Sequence, residues 1–284
     1  MQTNQDDVGW GPNATFKFPV HGGTGGIWKA VAKNLPADKV KYKASATKVN
    51  TDTKIITLAS GEQFSYDVII STTPINLLIG MLEGAGLEDL KKKKDSFVYS
   101  TSHIIGIGLR GEPPAHLKGK CWMYFPEDNC PFYRATLFSH YSPNNCPDQN
   151  TWSLMFEFSE SPAKPAPKED PIEATIQGAL NTKLFESRDQ IISTWHERLE
   201  YGYPTPFVGR DELLDEVQPK LMDLGIWSRG RFGGWKYEVG NQDHSLMQGV
   251  EAADSVLFGV EESTYSYPDL VNTRKTTQRS FKKL

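Results

Sequence analysis

Arginine, glycine and aromatic residues are the groups in this 284-residue chain whose types and spacing could hold a ligand. One cluster is Trp122-Met123-Tyr124, followed by Phe132-Tyr133-Arg134 and then Tyr141. In a strand Trp122 and Tyr124 point to one face, so two rings share a surface with a nearby guanidinium. Rings pack on the faces of sugars and bases, and arginine grips a phosphate through two parallel hydrogen bonds. Core packing accounts for the aromatics alone; it does not account for Arg134 among them.

A second cluster, residues 227–245, reads WSRGRFGGWKYEVGNQDHS and leads into a helical pattern. A loop of arginine, glycine and aromatics that ends at a positive helix terminus suits an anion or a ring carbonyl. Site loops carry such mixtures, whereas cores rarely do. The third is Gly22-Gly23-Thr24-Gly25-Gly26, directly before a helix, where missing Cβ atoms let a flat ligand or phosphate approach the backbone. A plain tight turn is the alternative there.

Other motifs fail. Gly106-Ile107-Gly108-Leu109-Arg110-Gly111 matches the dinucleotide pattern G-x-G-x-x-G, which needs a helix opening at its third glycine to hold the pyrophosphate. Glu112-Pro113-Pro114 and Gly119 leave no room for that helix, so the match is read as a strand and turn. The phosphate-binding start of a nucleotide fold is therefore not expected in these residues. His21, His103, His116, His140, His196 and His244 form no metal-binding pair, and neither H-E-x-x-H nor G-x-S-x-G is present. The carboxylates show no spacing from which a glycosidase could be argued. Cys121, Cys130 and Cys146 are odd in number without C-x-x-C spacing, which predicts neither a disulfide framework nor a thiolate zinc site. Binding groups without an evident nucleophile suggest a cofactor that performs the chemistry.

Those groups must be positioned by a core, and the chain is long enough to bury one. Thirty-one Lys and Arg against 35 Asp and Glu give a net charge of −4, which argues against an electrostatically driven nucleic-acid or membrane binder. The lysine run 91–94 has no interleaved aromatics and reads as a solvated helix end. Apolar runs such as Val68-Ile69-Ile70 are far short of the roughly 20 residues a membrane span needs. The first ten residues lack a secretory pattern, so a cytoplasmic protein is expected.

The apolar periods predict a helix with Ile27, Val31 and Leu35 on one face, then strands at 46–50, 54–58 and 66–71 with turns at Asp52 and Ser60-Gly61. The centre of 67–73 is continuously apolar, as in a strand covered on both faces. A helix over 75–83 follows, then β-branched and aromatic strands at 102–109, 120–125, 133–139 and 151–159 that make a mostly antiparallel sheet. Asp170-Pro171-x-Glu173 caps a helix striped by Ile172, Ile176, Leu180 and Leu184. A strand at 191–200, a helix with Leu213, Leu214, Val217 and Leu221, and a short strand at Ile226-Trp227 come next. A last helix over 243–258 carries an inner stripe of Leu246, Val250, Ala253 and Leu257. The fold class is mixed α/β. An incomplete FAD- or NAD(P)-binding Rossmann-like domain spans 1–95 and returns over 226–284, and a substrate-binding antiparallel sheet with helices fills 96–225.

Long motifs along nearly the whole chain carry a resemblance. Trp10-Gly11-Pro12-Asn13-Ala14-Thr15-Phe16, Phe18-Pro19-x-x-Gly22-Gly23-Thr24-Gly25-Gly26-Ile27-Trp28, the stretch from Cys121 to Thr136, Gly202-Tyr203-Pro204-Thr205-Pro206 and the 227–245 loop resemble UDP-galactopyranose mutases of the eukaryotic type. These are flavoproteins related in fold to the flavin amine oxidases. The resemblance implies interconversion of UDP-galactopyranose and UDP-galactofuranose without net redox change, on FAD that must be reduced, with NADPH as reductant. The flavin N5 is then the nucleophile that attacks the anomeric carbon as UDP leaves, and no side chain of this sequence is expected to be catalytic. Arg134 would clamp the pyrophosphate while Tyr141, Tyr203 and Tyr237 donate to its oxygens, and Asn13, Trp122 and Tyr124 would line the substrate pocket. Gly22, Gly23, Arg231, Gly240, Asn241, Gln242 and Ser245 would contact the cofactor, and Ala46 the adenine.

The family also has a first strand, a true G-x-G-x-x-G, a helix, a flavin-contacting histidine and a second pyrophosphate arginine upstream of the position of Asn13. Only twelve residues precede Asn13 here, so a carboxyl-terminal portion is expected that holds FAD poorly alone. Expected partners are the small-molecule UDP-galactose and a second copy in a homo-oligomer, with no nucleic acid, membrane or metal. The competing expectations are a flavin amine oxidase-type oxidoreductase and a non-catalytic sugar-nucleotide-binding remnant.

Overall fold

The computed structural model describes residues 17–273, so Trp10, Asn13 and the rest of the first motif lie outside the described residues. The strands are β1 (Ala46–Asn50), β2 (Ile55–Leu58), β3 (Gln63–Ser65), β4 (Ile69–Ser71), β5 (Leu82–Glu83), β6 (Tyr99–Arg110), β7 (Trp122–Tyr124), β8 (Arg134–Leu137), β9 (Thr151–Glu160), β10 (Ile191–Pro204) and β11 (Ile226–Ser228). The helices used below are α1 (Gly23–Ala32), α2 (Ile75–Met81), α3 (Glu88–Lys92), α4 (Pro171–Asn181), α5 (Arg210–Asp223), α6 (Gly230–Gly233) and α7 (Gln242–Phe258). Among the described residues no helix is long and apolar enough to cross a membrane. The chain divides into two compact units, each assembled from separate stretches: residues up to Lys41 with His103–Arg198, and Tyr42–Ser102 with the residues from Leu199 on. The glycine cluster and α1 thus group with the 103–198 stretch, while β1 to β5 group with the residues from Leu199 on.

The unit containing His103–Arg198 is built on a sheet ordered β10-β6-β9-β8-β7. A strand's period of two sorts its side chains between faces. Ile105, Ile107 and Leu109 of β6, Ala135 and Leu137 of β8, and Trp152, Leu154, Phe156 and Phe158 of β9 are buried in one apolar cluster. Ile176 and Ala179 of α4 close it, with Leu184 and Phe185 just beyond. Asp170 starts α4 as read from the sequence: its Oδ1 accepts from the Ile172 and Glu173 amides at 2.9 and 3.1 Å. The G-x-G-x-x-G match lies within β6 and its final turn, where Gly111 has φ 90°. Gly108 serves close strand approach, since a Cβ there would stand 2.4 Å from Ser193 Oγ. The helix expected after the glycine cluster is present as α1, but it buries none of its residues, and Ile27, Val31 and Leu35 are exposed. The apolar period marks the face that needs a partner without supplying one.

The same unit pairs two histidines far apart in sequence. His103 is buried and stacks on Phe158; its Nδ1 lies 3.0 Å from His196 Nε2 and its Nε2 lies 2.8 Å from Glu160 Oε2. Arg198 Nε donates to the same Glu160 oxygen at 3.0 Å. Among the described residues no group of three or more His, Cys, Asp or Glu could hold a metal ion.

The other unit contains a sheet ordered β3-β2-β1-β5 and a separate parallel pair of β11 and β4, in which Ile226, Trp227 and Ser228 face Ile69, Ile70 and Ser71. Asn50 builds the β1–β2 turn by accepting from the Asp52 and Thr53 amides at 3.1 and 2.8 Å. The core gathers Val49, Ile75, Leu78 and Ile79 with the α5 stripe of Leu213, Leu214, Val217 and Leu221, and with Trp235. That stripe is the one read from the sequence, although α5 continues through Pro219. Two expectations fail here. Val68 and Ile70 of the 67–73 stretch are exposed, so that strand is not covered on both faces. In α7 the buried residues are Gln248 and Ala252, while Leu246, Val250 and Leu257 of the expected inner stripe face water. The apolar period marks a stripe, not the side of the helix that this unit covers.

Arg198, then His103, holds the Glu160 carboxyl below the ordinary glutamate range by hydrogen bonding. A carboxyl depressed in the folded state stabilises above its unfolded pKa of about 4.3, and that stabilisation disappears as pH falls through the folded value. The stability advantage of the wild type over Glu160→Gln is therefore expected to be full near neutrality and to vanish on acidification below about pH 4, as followed by urea denaturation at each pH. A pH-independent difference would contradict this assignment.

Candidate functional site

The face of the sheet opposite the apolar cluster carries the first group of candidates. In β7 and β8, Tyr124 stands opposite Arg134 and Trp122 opposite Thr136. In β8 and β9, Arg134 stands opposite Glu157 and Thr136 opposite Met155. Because Ala135 and Leu137 point into the core, Arg134 and Thr136 point away from it. The Arg134 guanidinium lies 5.9 Å from both the Trp122 and Tyr133 ring centroids, within cation–π reach. Tyr124 is exposed at the edge of this surface.

Glu157 is the residue that sequence reading missed. Arg134 Nε donates to Glu157 Oε1 at 2.9 Å, Nη2 approaches both carboxylate oxygens at 2.6 Å, and Tyr133 Oη donates to Oε2 at 3.0 Å. The carboxylate is buried and fixes the plane of the guanidinium. A signal was available: β9 alternates Trp152, Leu154, Phe156 and Phe158 inward, which places Glu157 on the face it shares with Arg134.

Tyr141 follows β8 on a short turn and packs against Phe18 and Phe138 at centroid distances of 4.9 and 5.5 Å. Burial first, and the adjacent Cys121 second, push its phenol up, while hydrogen bonding to Trp122 and Thr136 opposes them. Tyr141 thus remains a neutral hydroxyl joined to the Trp122 side of the surface. The glycine cluster is pinned close by, since Ser142 Oγ and Asn144 Nδ2 donate to the Val20 carbonyl at 2.6 and 2.9 Å. Gly22 and Gly23 have φ of 75° and 59°, a left-handed start to α1 that favours glycine, and no side chain caps that helix.

The other unit holds the second group. Arg231 lies over the Tyr203 ring at 5.1 Å, and the Tyr203 and Tyr237 centroids are 5.9 Å apart. Gly240 packs tightly here, where a Cβ would stand 3.3 Å from the Tyr237 carbonyl and 3.4 Å from Arg231 Cγ. Asn241 precedes α7 without a side-chain cap, Gln242 opens the helix, and the Ser245 amide closes the first turn on the Asn241 carbonyl at 2.8 Å. Ala46 is exposed at the first position of β1.

The loop bearing these residues is held from beneath. Buried Arg229 donates from Nε and Nη2 to the Glu262 carboxylate, the latter at 2.6 Å, and from Nη1 to Gln218 Oε1 at 2.9 Å. Its guanidinium lies 4.5 Å from the Tyr265 ring centroid. Gln218 reaches the Gly233 carbonyl at 3.1 Å, and Gln248 spans the Gly230 amide and the Val239 carbonyl at 2.8 Å each.

The start of α7 offers donors suited to an anion or a ring carbonyl. A 17-residue helix without a side-chain cap presents a positive terminus, glycine and guanidinium stand beside it, and the buried His244 Nδ1 in its first turn finds no hydrogen-bond partner among the described residues. Unit by unit, the structure brings Trp122, Tyr124, Arg134 and Tyr141 together, and likewise Tyr203, Arg231, Tyr237, Gly240, Asn241 and Gln242.

No protein-family profile matches the chain. Among solved structures, a reduced UDP-galactopyranose mutase is 51% identical and superposes with a TM-score of 0.91 over 95% of this chain and 58% of its own. A CLA-producing fatty acid isomerase from P. acnes is 12% identical with a TM-score of 0.57, over 83% of this chain and 52% of its own. The second likeness shows the fold alone. The first shows that the resemblance read from the motifs holds throughout the chain's fold, while the chain spans 58% of that relative's length.

A double-mutant cycle checks the pair that sequence reading missed. Glu157→Ala is expected to destabilise by about 1.5–3 kcal/mol, because it strands a half-buried guanidinium, and combining it with Arg134→Leu should recover much of the loss. Additive losses in urea denaturation would mean that the two side chains do not support each other.

Proposed function

We propose that this chain is the carboxyl-terminal part of a flavin-dependent isomerase that interconverts UDP-galactopyranose and UDP-galactofuranose. The observation that carries the reading is the aromatic-walled guanidinium on the sheet face opposite the apolar cluster, in a chain whose fold matches a reduced UDP-galactopyranose mutase at 51% identity. A guanidinium held in plane by a buried carboxylate brings a fixed positive charge to a diphosphate. The Trp122 and Tyr124 rings offer flat apolar surface for a sugar or a base. Tyr141, kept neutral by its surroundings, donates a hydrogen bond toward an anion, and in this reading Tyr203 and Tyr237 do the same.

Reduced FAD, when bound, would supply the nucleophile for the anomeric carbon. The residues that would hold its ring edge are Arg231, Gly240, Asn241, Gln242 and Ser245, with Gly22 and Gly23 against the cofactor as well. The positive end of α7 stabilises negative charge on the electron-rich ring. G-x-G-x-x-G at 106–111 is strand and turn, so these residues would not hold the FAD pyrophosphate. Arg134 with its fixed carboxylate separates this reading from an amine oxidase, which would take an apolar, aromatic-lined cage for its substrate.

Two measurements test it. Arg134→Ala should weaken UDP binding by about 1.5–3 kcal/mol, roughly 10- to 150-fold by titration calorimetry, and an unchanged isotherm would remove Arg134 from the site. When the chain carries a G-x-G-x-x-G domain ahead of it, sugar interconversion followed by chromatography should appear only after reduction by dithionite or NADPH. Equal turnover with oxidised flavin would refute the proposed chemistry.

A further inference from the structure

Tyr237 is half exposed, so its own packing fixes it weakly, yet the residues on either side of it are tied down. The segment leaves the core at Trp235, which is wholly buried at φ 55°, a left-handed backbone that a bulky residue adopts only where its surroundings over-determine it. Lys236 Nζ then donates to the Tyr265 carbonyl at 3.0 Å and lies 4.4 Å from that ring's centroid. Just after Tyr237, the Glu238 carboxylate accepts from Arg210 Nη1 and Nη2 at 2.8 Å each, and Asn272 Nδ2 donates to the Glu238 carbonyl at 3.1 Å. Arg210 opens α5 shortly beyond Tyr203, near the end of β10. Pro204 and Pro206 stiffen the connection between them, and Phe207 packs against the core. The Arg210–Glu238 ion pair therefore staples together the two segments that bear Tyr203 and Tyr237, whose ring centroids are 5.9 Å apart.

We infer that Arg210 and Glu238 are positioning residues that set the spacing of the Tyr203 and Tyr237 hydroxyls for an anionic ligand, acting through those side chains rather than on the ligand. The inference rests on the proposed function in taking the two phenols as donors to a diphosphate. The charges fit the task. A carboxylate one residue from an anion-binding phenol repels the ligand unless it is matched, and the fork of Arg210 matches it with one bond to each oxygen. Arg210 Nε and Nη2 also donate to Asp211 Oδ1 at 2.9 and 2.6 Å, which holds the guanidinium on the first turn of its own helix. The Arg210 side chain is only 12% exposed, so the pair is set in place rather than free to wander in solvent. A fork of this kind fixes direction as well as distance, which a single flexible ammonium does not.

Removing one partner alone would leave an unpaired charge beside an anion site, so the test removes both, as Arg210→Met with Glu238→Gln. In the 284-residue chain this double variant should weaken UDP binding about tenfold by titration calorimetry, and the loss should shrink below about twofold when Tyr237→Phe is already present. Hydrogen exchange at the Val239 and Gly240 amides, which close the turn on the Lys236 and Tyr237 carbonyls, should quicken at least about fivefold while exchange over 105–109 is unchanged. A lower unfolding temperature with an unaltered UDP isotherm would make the pair merely structural and overturns the inference. So does a loss of equal size in the Tyr237→Phe background, or unaltered exchange at Val239 and Gly240. A wild-type chain that takes up no UDP refutes the proposed function instead, and the exchange comparison still decides whether the pair holds the turn.

Discussion

A buried guanidinium must be neutralised, and Arg229 meets that requirement through Glu262. Taking either ion out of water costs several kcal/mol, so the pair is worth keeping only where its geometry is nearly complete. Here the fork uses both carboxylate oxygens, Gln218 and the Ser228 carbonyl, with a ring beneath it. The elements drawn in are the end of β11, the middle of α5 and the segment around Tyr265. Gln248 extends the same polar scaffold into α7 and across the glycine-rich turn. Arg231, Tyr237 and the first turn of α7 therefore stand on a base with few alternative arrangements, which is how an irregular loop comes to hold side chains in place.

Arg134 and Glu157 form a second such pair. The Glu157 carboxylate is again buried, while the Arg134 side chain keeps 21% of its surface exposed, so its guanidinium is less costly to desolvate than that of Arg229. Glu157 offsets the charge of Arg134 at rest, so an arriving anion meets an oriented but partly neutralised fork. That tempers attraction for anions in general and rewards a ligand that can use the planar geometry as well as the charge.

Much of the fold was legible because its signals are local. The cap at Asp170, the α5 stripe and the β-branched strands follow from residues close in sequence, and all are found. The glycine match at 106–111 could be set aside from its prolines alone. What stayed hidden was tertiary. Glu157 opposite Arg134 and His196 beside His103 depend on strand register, which one sequence does not state. The faces of α1 and α7 were identified as apolar stripes, but periodicity cannot report whether their cover lies in the same stretch of chain. Asn13 falls outside the described residues, and Ala46 is found on an exposed strand start that carries no sign of its own.

Each compact unit is assembled from two stretches interrupted by part of the other. On a ribosome, the strands β1 to β4 emerge long before α5 and β11, the partners that complete their core. The first unit can close once residue 198 is out, whereas the second must hold Val49, Ile75 and Ile79 unsatisfied until its distant half is made. Loop closure over such separations is slow, and the waiting apolar strands are open to wrong partners meanwhile. The order of synthesis therefore places the hazard of aggregation on residues 42–102.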